Sequence, residues 1–579
     1  MLAAVGLGAL PAQSATAAPC VDPYPVSALA AGDPVTGLTV TTGTSPDSFG
    51  GTVLGVLEDG IGPDVDMVLV DLDSPTIEAD GIWAGMSGSP VYAADGRLIG
   101  AVSYSLGLGP STVAGVTPAG DMAALLSGDA TAAMSPRSTV RLPSALRSRV
   151  VQAGAATSAQ SRTMTRLRVP VGMSGLGSER LEAVAPALNG RGLHVADVPA
   201  GPTSEEPIDI VTGGNLAASM SYGTITAAGV GTATAVCGTE VLGFGHPMNF
   251  TGRSSMSLHG ARATHIQDDQ TLGGYKVANL GAPVGTIDQD RLAGLHAVTG
   301  DAPTAYDVVS HADEGDATYV ATSHVTMPEV MPDVAFANML AAQDKVLDRT
   351  GPGTVSAGWT ISGLRKDGTS FSFHRKDLYT DSSDVSVAPA VTLADDLYAI
   401  SENPGEVVRI TSVTTRSTLA ETDEAYVIAK VEARRGGHWV TLQQRRPTWL
   451  PAGRTTHLKV VVTSRAGAPR VLRVDAVVPA HAAGRVGSLT VTGGNQDAFS
   501  SEFFFDLGEF GFEDETPAPS SSTFPQLLED LTAGAKHNEV RATVRFRSAP
   551  GAASHARRRS ETMNRVVGGH KRYRIVAIG

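Results

Sequence analysis

The chain has 579 residues, room for three or four domains of roughly 150 residues each, and is 42% hydrophobic, too apolar for a disordered chain. Its 65 glycines follow no every-third-residue period, which excludes a collagen-like helix. A net charge of −14 argues against a general nucleic-acid binder, because phosphate neutralisation needs clustered Lys and Arg.

Residues 1–18 form a short apolar run that ends in small residues, and Ala15-Thr16-Ala17 fits a signal-peptidase site. The run is too short to span a bilayer, and no later run reaches about 18 consecutive apolar residues. The expectation is a signal peptide over 1–18 and a secreted, extracellular protein with no integral membrane span. Only two cysteines are present, Cys20 and Cys237. An oxidising compartment permits them to pair, and two separate thiols are the alternative. They cannot build a four-thiolate zinc site, and the sequence has no HExxH, Walker loop or dinucleotide-binding fingerprint after a strand. Neither a metal nor another cofactor is expected.

Residues 19–128 read as a first β half. Thr52–Leu57, Met67–Leu72, Pro90–Tyr92, Leu98–Tyr104 and Thr112–Thr117 are β-branched or apolar runs broken by Gly, Asp and Pro. Asp95-Gly96 supplies the positive φ of a hairpin turn, and residues 119–126 suit one short helix. Residues 129–165 are rich in Ala, Ser, Thr and Arg without a sustained period, and read as a linker or a loosely packed helix over 142–153. Residues 166–390 read as a second β half, with a meander over Met220–Thr226, Gly229–Ala235 and Glu240–Gly245. Within it, residues 333–348 show helical spacing of Val334, Phe336, Met339, Leu340, Val346 and Leu347.

From 395 to 512 the apolar runs Val407–Val413, Ala425–Ala433, Thr456–Thr463, Val471–Val478 and Ser488–Thr492 alternate with polar residues, the pattern of a β-sandwich. Residues 513–579 read as an acidic, Pro- and Ser-rich linker followed by a short helix, a strand near Val540–Phe546 and a basic tail. The basic cluster Arg557, Arg558, Arg559, Lys571, Arg572 and Arg574 reads as a solvated end.

The sharpest local signal is Gly85-Met86-Ser87-Gly88-Ser89-Pro90. Two glycines around a serine let the backbone bend tightly, so that the hydroxyl is presented on a turn. Backbone N–H groups of Gly85 and Ser87 converge in such a turn and suit an oxyanion hole. A serine needs a base within hydrogen-bond reach and a group that orients the base. A histidine after a Gly-x-Gly strand end, in Gly243-Phe244-Gly245-His246-Pro247, suits the base. His259, His265 and His296 lie nearby in sequence without recognised metal-ligand spacing.

The longer string Gly81-Ile82-Trp83-Ala84-Gly85-Met86-Ser87-Gly88-Ser89-Pro90-Val91, continued by Gly96-Arg97-Leu98-Ile99-Gly100-Ala101-Val102, resembles the S55 family of serine peptidases, the sporulation factor IV B type. The segments Val241–Pro247 and Gly285–Gly294 resemble the same family. The resemblance implies Ser87 as nucleophile and His246 as general base. It also implies an aspartate shortly before the serine, for which Asp73 suits the local pattern better than Asp71. In the sporulation protease the histidine segment precedes the serine segment; here the order is reversed. The expected fold is therefore mainly β, a chymotrypsin-like double β-barrel with permuted halves, followed by the β-sandwich. The expected function is a secreted serine endopeptidase that acts on a peptide or protein substrate through an acyl-enzyme and is able to process itself. The rival is a non-catalytic secreted β-rich binding or adhesion protein on a peptidase-like scaffold. Oligomeric state and cleavage specificity stay open.

Overall fold

A computed structural model describes residues 20–107, 109–127, 136–169, 171–190, 203–268, 274–464, 467–494, 523–546 and 554–579. The expected signal peptide over 1–18 and the acidic linker over 513–522 lie outside them. The chain is mainly β, with 51% strand and 17% helix. It divides into two compact units: residues 1–170, 204–218 and 229–303 form the first, and 171–203, 219–228 and 304–579 form the second.

The first unit begins with a closed barrel. Its strands are β1 (Pro34–Thr39), β2 (Asp47–Gly62), β3 (Val65–Asp73), β4 (Pro90–Ala93), β5 (Leu98–Leu106) and β6 (Val113–Pro118). They pair in the order β4-β1-β2-β3-β6-β5, and β5 pairs back onto β4 to close the ring. Side chains alternate across each strand. Val68, Val70 and Leu72 of β3 therefore share one core with Val35, Phe49, Val91, Val102, Ala114 and Val116. Met67 and Leu69 face outward and would meet water if nothing covered them. Their cover comes from β7 (Thr139–Arg141), the helix Ser144–Gln152 and β8 (Thr163–Arg166), which contribute Val140, Leu142, Leu146, Val150 and Met164 to a second core. The described part of the stretch expected as a linker, 129–165, is thus structured, because its sparse apolar residues seal the outer barrel face.

The hairpin at Asp95-Gly96 forms as expected, with Gly96 at φ +85°. A short helix, Pro75–Asp80, connects β3 to the serine turn. The Ser74 hydroxyl accepts from the Ile77 N–H, Pro75 occupies the first turn, and Gly81 ends the helix at φ +72°. These are the ordinary start and stop devices of a helix.

A second curled sheet contains the histidine segment. Its strands pair in the order Asn215–Gly223, Gly252–Gln267, Tyr275–Arg291, Gly294–Thr299, Glu240–Gly243 and Ala227–Cys237, and the last pairs with the first. The two longest strands, 252–267 and 275–291, are joined along their length through several register shifts, which bend such strands around a curled sheet. Cys20 and Cys237 are disulfide-bonded, tying the start of the described chain to this sheet.

The second unit contains a sheet with strand order Ser370–Asp381, Gly353–Leu364, Arg409–Ala420, Tyr306–Glu314, Ala317–Val325. Strand 353–364 alternates buried and half-buried along its whole length. Helix Met331–Leu347 is buried nearly end to end, and its Asn338 amide donates to the Ser310 hydroxyl and to the Val308 and Ala321 carbonyls. Two five-stranded sheets follow and share one apolar core that includes Val431, Val460, Val474, Leu489, Val544 and Ile575. This paired-sheet region runs over 425–493 and 540–578, not over 395–512. Strand 409–420 instead pairs with 353–364 and 306–314. The expected basic tail is likewise part of this region. Strand His570–Ile578 buries Tyr573, Ile575 and Ala577 on one face and carries Arg572 and Arg574 on the other.

Candidate active site

The serine turn and the histidine turn meet within the first unit. The His246 Nε2 lies 2.8 Å from the Ser87 Oγ, although 159 residues separate them in sequence. Both side chains are only 1% exposed.

The serine turn is anchored by its carbonyls. The Gly85 carbonyl accepts from the Thr232 hydroxyl at 3.0 Å, the Ser87 carbonyl from the Thr232 N–H at 2.8 Å, and the Gly88 carbonyl from the Thr234 hydroxyl at 2.7 Å. Thr232 and Thr234 both belong to strand 227–237. With three carbonyls directed at one strand, the N–H groups of Gly85 and Ser87 are left without a hydrogen-bond acceptor among the described residues. The glycines are required by geometry. Gly88 has φ +95°, and a Cβ there would lie 2.0 Å from the Thr232 carbonyl oxygen and 2.5 Å from the Phe244 nitrogen. Gly85 has φ +103° and would bring a Cβ within 2.7 Å of the Lys276 Cβ. Ser89, the second serine, donates to the Thr39 hydroxyl at 2.9 Å and serves the turn, not the dyad.

The histidine turn is strained and doubly held. Phe244 and Gly245 both have positive φ, at +67° and +65°. A bulky residue rarely occupies this region unless the surroundings impose it. The Gly245 carbonyl accepts from the Thr117 hydroxyl at 2.5 Å, and Thr117 is paired with the Ser103 hydroxyl at 2.7 Å. Beyond the histidine, the buried Asp290 accepts from the N–H groups of Met248 at 2.9 Å and Asn249 at 2.7 Å. Burial drives the His246 pKa down to about 4, with the positive charge of Arg166 acting in the same direction and the Pro247 carbonyl opposing it. The ring is therefore neutral at pH 7, with Nδ1–H donating to the Pro247 carbonyl at 2.9 Å and the Nε2 lone pair facing the serine hydroxyl.

Asp73 does not orient this ring. It is exposed at the end of β3, across from Gly50, and among the described residues it makes no hydrogen bond to His246. Asp71 accepts from the Thr112 hydroxyl at 2.6 Å and is not the partner either. The position next to Nδ1 is filled by the backbone carbonyl of the following residue, so no carboxylate fits there. The other histidines of this stretch are scattered. His259 faces the Gly281 carbonyl, His265 is exposed, and His296 lies between Asp288 at 2.6 Å and Glu240 at 2.5 Å. Among the described residues no three His, Cys, Asp or Glu side chains gather as a metal site, and no helix is long and apolar enough to cross a membrane.

No family model, curated protein or solved structure matches this chain. The likeness to the S55 peptidases therefore rests on the quoted sequence segments alone. Reading the sequence alone missed Asp290, which stands inside the segment Gly285–Gly294 yet carries no recognisable motif of its own. Thr117, Thr232 and Thr234 were also missed, because a strand threonine that buries its hydroxyl has the same local pattern as one facing water.

Proposed function

We propose that this protein is a secreted serine endopeptidase of the S55 type, with Ser87 as nucleophile and His246 as general base. The observation that carries this reading is the 2.8 Å contact between the Ser87 hydroxyl and the His246 imidazole, made by two turns from distant parts of the chain. In the proposed mechanism the Ser87 Oγ attacks a peptide carbonyl while Nε2 takes its proton. The resulting oxyanion is held by the Gly85 and Ser87 N–H groups, and Nε2 then returns the proton to the leaving amine. Water enters by the same route to release the acyl group. The Nδ1–H bond to Pro247 selects the tautomer that this chemistry needs, but supplies no negative charge to the imidazolium. The closed barrel beside a second curled sheet supports a chymotrypsin-like arrangement with permuted halves. The Cys20–Cys237 disulfide supports an oxidising, extracellular setting.

A second reading is a non-catalytic binding protein on a peptidase-like scaffold. What favours it is the 1% exposure of both dyad residues, since a substrate carbonyl has to reach Ser87 before anything else happens. Hydrolysis of fluorescently labelled casein separates the two. The peptidase reading expects turnover by the wild-type chain and none by Ser87→Ala or His246→Ala. Equal turnover by all three proteins excludes the dyad as its source.

A further inference from the structure

The position next to His246 that a carboxylate fills in a serine triad is occupied here by a peptide group, and that peptide group is itself gripped by a carboxylate. The carbonyl of Pro247 takes the Nδ1–H of His246 at 2.9 Å. The N–H of Met248 belongs to the same peptide plane and donates to Asp290 Oδ1 at 2.9 Å. The atoms of a peptide unit are rigidly coplanar, so fixing one end fixes the other. The Asn249 N–H donates to Asp290 Oδ2 at 2.7 Å, and the N–H groups of Phe250 and Thr251 also interact with the carboxylate. Asp290 is fully buried on strand 275–291. A buried carboxylate surrounded by backbone donors of one loop sets that loop's position.

We infer that Asp290 is the orienting carboxylate of the site, acting on His246 through the Pro247–Met248 peptide. This rests on the peptidase reading given above. Asp290 touches neither the serine nor the imidazole and is a positioning residue. Two effects follow from the geometry. The carboxylate holds the Pro247 carbonyl in the plane where it meets Nδ1. It also polarises the peptide, since an amide whose N–H donates to an anion has a stronger acceptor at its carbonyl. Both effects strengthen when the ring becomes an imidazolium and Nδ1–H becomes a better donor. No proton leaves the peptide and no bond is broken in this relay.

The test compares wild type, Asp290→Asn, Asp290→Glu and Asp73→Asn in two measurements. The first is the rate at which a fluorophosphonate probe labels Ser87, with the kcat and KM for a casein peptide. A misplaced base costs roughly 100-fold. Asp290→Asn keeps the size of the side chain but turns an amide NH2 toward an N–H donor. It is expected to lower kcat and labelling by about that factor with little change in KM, Asp290→Glu to recover part of the loss, and Asp73→Asn to change neither. Labelling of Asp290→Asn at the wild-type rate overturns the inference. The second measurement is the proton NMR resonance of the His246 Nδ1–H, which reads the hydrogen bond without any turnover. A downfield, exchange-protected signal in wild type, moved upfield in Asp290→Asn or Asp290→Glu, supports the relay. A ring N–H that exchanges freely in folded wild type overturns it. If the wild type shows the protected signal but never labels, the peptidase reading fails while the relay stands.

Discussion

Replacing Gly88 with alanine tests whether the serine turn is seated as described. Gly88 lies at φ +95°, and the new Cβ would sit 2.0 Å from the Thr232 carbonyl oxygen and 2.5 Å from the Phe244 nitrogen. Both neighbours are backbone, so neither can swing away. The left-handed conformation alone costs an L-residue about 1–2 kcal/mol. Forcing a methyl into filled space adds about 1–3 kcal/mol. Displacement of the turn also weakens the bonds from the Thr234 hydroxyl to the Gly88 carbonyl and from the Gly88 N–H to the Val102 carbonyl. Together these give a loss of about 3–5 kcal/mol. Gly96 supplies the internal control. It has φ +85°, but a Cβ there meets nothing within 4 Å, so only the conformational cost of about 1–2 kcal/mol applies. Equilibrium urea unfolding of the two variants gives both numbers. A Gly88→Ala loss no larger than that of Gly96→Ala would refute the packing of the serine turn against strand 227–237 and Phe244.

His246 and His259 are both buried, with pKa values pushed down to about 4 by desolvation. The unfolded chain binds those protons near pH 6.5, so stability is lost as the pH falls from about 6.5 toward 4, by up to about 3 kcal/mol for each ring. Urea midpoints measured between pH 8 and 4 should fall across that window, and midpoints that hold steady contradict the burial of neutral rings. His296 acts in the opposite sense. Asp288 and Glu240 raise its pKa, so its contribution is complete below about pH 6.5 and is lost as the pH rises through the raised value. A Glu240→Gln variant should reduce the pH dependence above that point. Breaking the Cys20–Cys237 bridge by the double change to serine should cost about 2–5 kcal/mol, read as a lowered unfolding midpoint under non-reducing conditions. An unchanged midpoint would mean that the bridge does not restrain the first unit. The acid limb of kcat/KM should lie well below pH 6.5, because the free ring stays neutral to about pH 4; a limb centred near 7 contradicts the neutral buried imidazole.

The elements with simple alternation or helical spacing were legible in the sequence. The strand expected near 540–546 is found at those residues, the helix expected over 333–348 spans Met331–Leu347, and the Asp95-Gly96 hairpin forms. The Ser87–His246 pairing was expected from the resemblance of two glycine-rich segments to the S55 peptidases, and the two side chains do meet. What was lost depends on distant contacts. Strands 252–267 and 275–291 contain Gly, His, Asp and Lys and bend at register shifts, so no clean period survives. The stretch 139–166 reads as polar because only a few of its side chains reach the barrel. The basic cluster of strand 570–578 looks like a tail until Tyr573, Ile575 and Ala577 are seen on its opposite face. Asp73 fitted a spacing, but spacing along a chain cannot reveal that a backbone carbonyl already fills the place beside Nδ1.

The most direct test of the central claim is site-mapped labelling by a fluorophosphonate probe. The wild-type chain should gain one adduct, located by tandem mass spectrometry on Ser87, and His246→Ala should lose it while remaining folded. An adduct on any other serine, or equal labelling of the folded His246→Ala chain, would show that the imidazole does not activate this hydroxyl.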